Sequence, residues 1–152
     1  MDNVSLYPEW KQAVEDFLAE GINDGEILTH AWLEARFGMK PLGEDDALTS
    51  FEFQGRQFLW LRNLDAFRDE LLESHRIFLA SVPGKGYRVV PAREQTAVTQ
   101  EKFEREAKKA YRRAANTLRH VRVEQLSEAQ RKENSDAIAK LAMLRGMQKA
   151  IE

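Results

Sequence analysis

The chain is 152 residues long, 43% apolar and 32% charged, with 23 Lys+Arg, 25 Asp+Glu, three His and no Cys. This composition predicts a soluble globular protein of one domain, or one domain with an appendage. It excludes disulfides and thiolate zinc sites, and no apolar run reaches the roughly 18 residues a membrane span requires.

Charge is unevenly placed. Residues 1–98 carry 10 Lys+Arg and 17 Asp+Glu, a net of −7, whereas residues 99–152 carry 13 and 8, a net of +5. The basic half favours a polyanion, and the acidic half is a poor match for one. Met1–Ser5 lacks the basic and apolar regions of a signal peptide, so a cytoplasmic location is expected. The three histidines are scattered, and neither a metal nor another cofactor is expected.

Tyr7-Pro8 opens a first helix, with Pro at the first helical position, where its missing N–H costs nothing. Trp10, Val14, Phe17 and Leu18 recur at helical spacing as its core face, and Gly21 stops it. Asp24-Gly25 turns into a short strand, Glu26-Ile27-Leu28. Thr29 caps a second helix, His30–Phe37, which buries Trp32, Leu33 and Phe37 and ends at Gly38. His30, in the first turn of that helix, is an ordinary position and no catalytic role attaches to it. Gly43-Glu44-Asp45-Asp46 lacks the spacing of a calcium loop and reads as a solvated connection.

Residues 47–62 are ambiguous. Phe51-Glu52-Phe53-Gln54-Gly55 alternates as a strand does, while Phe51, Phe58, Leu61 and Leu64 fit a helix. A helix starting after Thr49 or Ser50, bent near Gly55 or Asn63, is the preferred reading. From Asn63 onward, Leu64, Phe67, Leu71 and Leu72 form one face, and Arg62, Arg68, Asp69 and Glu73 the other.

Two runs rich in β-branched and aromatic residues, within Ile77–Val82 and Tyr87–Val90, flank Pro83-Gly84-Lys85-Gly86. This is a β-hairpin pattern in which the glycines supply the positive φ of a tight loop. Lys85 stands at the tip and Arg88 just behind it. The wording Ser81-Val82-x-Gly84-x-Gly86-Tyr87-Arg88-Val89 closely resembles the wing of OmpR/PhoB-type response-regulator DNA-binding domains. The resemblance covers about fourteen residues. It implies a winged helix over residues 1–95, a small three-stranded sheet, a recognition helix from Asn63 bearing Arg62 and Arg68, and a wing reaching the minor groove or phosphates. The sequence opens directly into the first helix with no receiver domain read before it, so phosphorelay control is not expected to carry over. In overall style the chain is similar to small winged-helix proteins of bacterial or phage type.

Pro91 ends the sheet. Thr96 or Thr99 then caps a long helix to about Val121. Phe103, Ala107, Ala110, Tyr111, Ala114, Leu118 and Val121 lie on one stripe, with Arg105, Lys108, Lys109, Arg112 and Arg119 opposite. Glu101, Glu104 and Glu106 lie near its start, where they suit the macrodipole. Ser127-x-x-Gln130 is a capping box for a last helix, whose apolar face is Ala137, Ile138, Leu141, Leu144 and Ile151. Residues 96–152 thus form a helical hairpin, foreign to the response-regulator family. The fold expected is mostly α with a small sheet: a winged helix followed by an αα-hairpin.

No Gly-rich phosphate loop, Gly-x-Ser-x-Gly elbow, cysteine nucleophile or paired histidines occur, so no enzyme is expected. Two functions remain open. One is a transcriptional regulator binding double-stranded DNA through Arg62, Arg68, Lys85, Arg88, Arg105, Lys108, Lys109 and Arg112, dimerised through its C-terminal helices. The other is a module whose acidic surface binds, and inhibits or recruits, a nucleic-acid-processing protein.

Overall fold

A computed structural model of the protein describes residues 7–151; Met1–Ser5 and the side chain of Ile151 lie outside the described residues. The described residues are mostly helical, with five α-helices and one three-stranded antiparallel sheet. They divide into two compact units, one ending at Gln95 and the other beginning at Thr96.

The first unit opens with α1 (Glu9–Glu20), which buries Ala13, Val14 and Phe17. Pro8 is extended and caps the helix from outside it, rather than occupying the first helical position. Leu18 is 44% exposed, because one step beyond Phe17 turns a side chain about 100° away from the core. Gly21 closes the helix at φ 62°, a conformation that glycine adopts without a Cβ penalty.

Strand β1 (Ile27–Thr29) points Leu28 inward. The Thr29 hydroxyl then accepts a 3.1 Å bond from the Trp32 amide and starts α2 (His30–Arg36). Leu33 and the cap residue Phe37 are fully buried. Trp32, expected in the core, is only half-buried, because its indole N–H reaches out to Glu20 at 2.9 Å. Arg36 also bonds Glu20, and these two donors hold the Glu20 carboxyl below the usual range.

Residues 50–75 form one helix, α3 (Ser50–His75), capped by the Thr49 hydroxyl at 3.1 Å from the Glu52 amide. The strand alternative for Phe51–Gly55 is thereby overturned, since Thr49 closes the first turn. The helix also runs unbroken through Asn63, whose amide bonds the Leu59 carbonyl at 3.0 Å. Leu64, Phe67 and Leu71 are buried, and Phe67 sets its ring against Phe17 and Phe37. Leu72 is 44% exposed, having passed round the helix from that row.

Strands β2 (Phe78–Val82) and β3 (Gly86–Val90) form the hairpin, and β3 is central, in the order β1-β3-β2. Thr29 of β1 pairs with Gly86, which sits at φ 148°. A Cβ on Gly86 would stand 1.9 Å from the Leu28 carbonyl oxygen, so glycine is what lets the first strand lie against the hairpin.

The long helix α4 (Ala92–Arg119) begins directly after Pro91, so neither Thr96 nor Thr99 caps it, and it stops short of Val121. Pro91 ends the sheet and, with its ring fixing φ in the helical range, leads the chain straight into α4. Glu101, Glu104 and Glu106 therefore lie well inside the helix, out of reach of its N-terminal partial charge; Glu94 is the acidic residue of the first turn. In the second unit α5 (Glu128–Ile151) follows a short 3₁₀ turn, Val123–Gln125. Its capping box is reciprocal: the Gln130 amide donates to the Ser127 hydroxyl (3.2 Å) and the Ser127 amide to the Gln130 side chain (3.1 Å).

Candidate nucleic-acid interface

The cations read from the sequence fall into three settings. Arg68 of α3 is engaged within the first unit. Its guanidinium donates to the Leu79 carbonyl at 2.9 Å and lies 5.0 Å from the centre of the Tyr87 ring, pinning the helix to the hairpin. Arg88 is half-buried and pairs with Glu94 at 3.5 Å. Both side chains brace the fold in this conformation.

Lys85 and Arg62 are exposed. Lys85 stands at the hairpin tip, its amide closing the turn onto the Val82 carbonyl at 3.0 Å. Arg62 has a different neighbourhood. At 100° per residue it shares the outer side of α3 with Phe51, Phe58, Asp65 and Asp69. Phe51 is 85% exposed and Phe58 68%, and Leu61 beside them is 55% exposed. The side of α3 turned from the core is therefore apolar and acidic, with Arg62 a lone cation among them.

The third setting is a groove between α4 and α5 in the second unit. The helices run back along each other, so Arg119 comes near Ile138, and Arg105 near Lys149. Two neighbouring cavities of about 330 and 350 Å³, both lined by Arg145 and Lys149, follow this seam. The floor is apolar, from Tyr111, Ile138 and Leu141. The rim carries Arg105, Lys108, Arg119, Arg145 and Lys149, against one carboxylate, Glu104. Arg112, seven residues after Arg105, follows the same side of α4 about 20° away, with Lys109 further round.

Arg145 and Lys149 do not stand out in the sequence, where α5 is marked by its apolar residues. Projecting the cations of α5 onto the seam of a helical hairpin finds them. Five cations around one acid, over an apolar floor, add their fields and concentrate anions. The groove offers guanidinium forks and ammonium groups suited to phosphate oxygens.

Comparison with protein-family models, with curated proteins and with solved structures gives no match for this chain.

Proposed function

We propose that the protein is a winged-helix DNA-binding protein of bacterial or phage type, a cytoplasmic transcriptional regulator that acts by binding rather than catalysis. In this reading the groove of the helical hairpin tracks the phosphate backbone of double-stranded DNA, and Lys85 adds a wing contact. The observation that carries it is the convergence of Arg105, Lys108, Arg119, Arg145 and Lys149 from two helices on one seam. The element order helix, strand, helix, helix, hairpin, with β3 central, supports the winged-helix part. No described helix is long and apolar enough to cross a membrane.

The test is fluorescence anisotropy of a labelled duplex with the full chain. Arg105→Glu combined with Arg145→Glu is expected to weaken binding by at least about tenfold on every sequence, because phosphate contacts carry no base information. Unchanged binding by this variant contradicts the reading.

The apolar, acidic outer side of α3 favours a second reading. A recognition helix entering a groove should be basic or polar there, and Phe51, Phe58, Asp65 and Asp69 are poorly suited to base edges and phosphates. Here the first unit binds a nucleic-acid-processing protein, and inhibits or recruits it. Phe51→Ser with Phe58→Ser tests this second reading: DNA affinity, carried by the groove, is expected to be unaffected, and a fall in DNA affinity puts α3 in DNA and contradicts it.

A further inference from the structure

Among described residues 96–150 no side chain is fully buried. The helical hairpin has a seam but no core, since its innermost residues, including Tyr111, Leu118, Ile138 and Leu141, remain half-exposed. Its apolar surface is nevertheless arranged. Phe103 is 60% exposed, Met143 60%, Met147 58% and Leu144 40%, and none of the four lines the basic groove.

Helical geometry explains why. At 100° per residue, Phe103, Ala110 and Ala114 cluster within about 40° on α4, on the side away from Arg105 and Arg112. On α5, Leu144 and Met147 likewise lie well away from Lys149, and Met143 away from Arg145. With the helices antiparallel, both apolar rows emerge on the same flank of the hairpin, and the groove opens on the other. The α4 row is made mostly of alanine; on α5 the leucine and methionines occupy the half of the flank away from the turn, and exposed Lys140 and Asp136 continue the same side toward it.

We infer that this flank is a self-association surface, covered by the same flank of a second copy of the chain. Two features point to a copy rather than a different partner. First, the flank is self-complementary: a two-fold axis that lays α5 of each copy over α4 of the other seats the large row on the small row twice. Second, its size fits. A helix of 24 residues is about 36 Å long, and a pair is about 20 Å wide. Stacked along its full length, polar positions included, the flank covers roughly 700 Å² per copy, close to the roughly 800 Å² per partner of a stable dimer. The resulting four-helix assembly supplies the core that one hairpin lacks and leaves each basic groove facing outward. The inference does not rest on DNA binding.

Sedimentation of the full chain without nucleic acid tests it. A species of twice the 17.6 kDa chain mass is expected, concentration-dependent in the micromolar range. Leu144→Lys with Met147→Lys should weaken association on the order of a hundredfold, since large apolar anchors dominate such interfaces. Arg105→Glu with Arg145→Glu, on the opposite flank, should leave the dimer intact. Circular dichroism of each variant reports folding separately. A wild-type chain that sediments as a monomer at high micromolar concentration overturns the inference, and so does a dimer that persists in the folded Leu144→Lys, Met147→Lys variant.

Discussion

Replacing Gly86 with alanine should disrupt the sheet far more than the same change at Gly84, although both lie at the hairpin turn with positive φ, 148° and 75°. At Gly84 an added Cβ meets nothing within 4 Å, so only backbone strain remains, about 1–2 kcal/mol. At Gly86 the Cβ would stand 1.9 Å from the Leu28 carbonyl oxygen and 3.0 Å from the Thr29 Cα, both backbone atoms that cannot rotate away. Relief requires β1 to withdraw, which breaks the Thr29–Gly86 pairing and unseats Leu28, now 3% exposed. Strain of about 1–3 kcal/mol and loss of roughly 2 kcal/mol of leucine burial give about 3–5 kcal/mol. That is a large share of the roughly 5–15 kcal/mol that holds a domain folded. Urea denaturation followed by tryptophan fluorescence measures both variants, with Trp10, Trp32 and Trp60 all in the first unit. Equal midpoints for Gly84→Ala and Gly86→Ala would refute the close approach of β1 to the hairpin.

Arg68→Ala should cost about 1–2 kcal/mol of stability through the lost bond to the Leu79 carbonyl and the lost stacking on Tyr87; denaturation in the absence of DNA checks this, and an unchanged midpoint would free Arg68 for a base contact. Ser127→Ala should lower stability by about 1 kcal/mol and speed amide exchange in the first turn of α5, read by hydrogen exchange, because it removes half of the capping box. Glu20→Gln bears on pH: the Glu20 carboxyl is held low by Arg36 and Trp32, so its stabilising effect is present above the ordinary value of 4.5 and disappears as pH falls through its depressed value. Wild type and Glu20→Gln should therefore differ in thermal midpoint at neutral pH and converge in acid; a gap that widens in acid contradicts this.

The elements most legible in the sequence are those decided within a few residues. Thr29, Thr49 and the Ser127–Gln130 pair are caps whose partners lie three residues on, and Gly21 stops α1 by its own conformation. The start of α4 shows how the same local signals mislead: Thr96 and Thr99 are good cap residues, but the helix is already under way by then, opened at Pro91. What local pattern does not contain is which side of a helix meets the rest of the chain. Phe51, Phe58, Leu61 and Leu64 follow at steps of seven and three, but 100° per residue turns Leu64 about 140° from Phe51 and 120° from Phe58, and the Leu64 side is the one met by α1, α2 and the sheet.

The candidate site was legible in part. Arg105 and Lys108 stand out on the basic side of α4, but their association with Arg145 and Lys149 joins residues about 40 apart in the chain and depends on the hairpin closing in one register. Arg68 and Arg88 were candidates by charge and position, and only their tertiary partners, the Leu79 carbonyl and Glu94, show them engaged inside the fold.

The central claim, that the groove holds a phosphate backbone, is tested most directly by the salt dependence of duplex binding. With five cations on the rim, each displacing counterion from one phosphate, log K should fall linearly with log salt at a slope of about −4 to −5. The variant carrying Arg105→Glu and Arg145→Glu should lose at least about 2 from the magnitude of that slope. Binding that does not change with salt, or the same slope in wild type and variant, would contradict the claim.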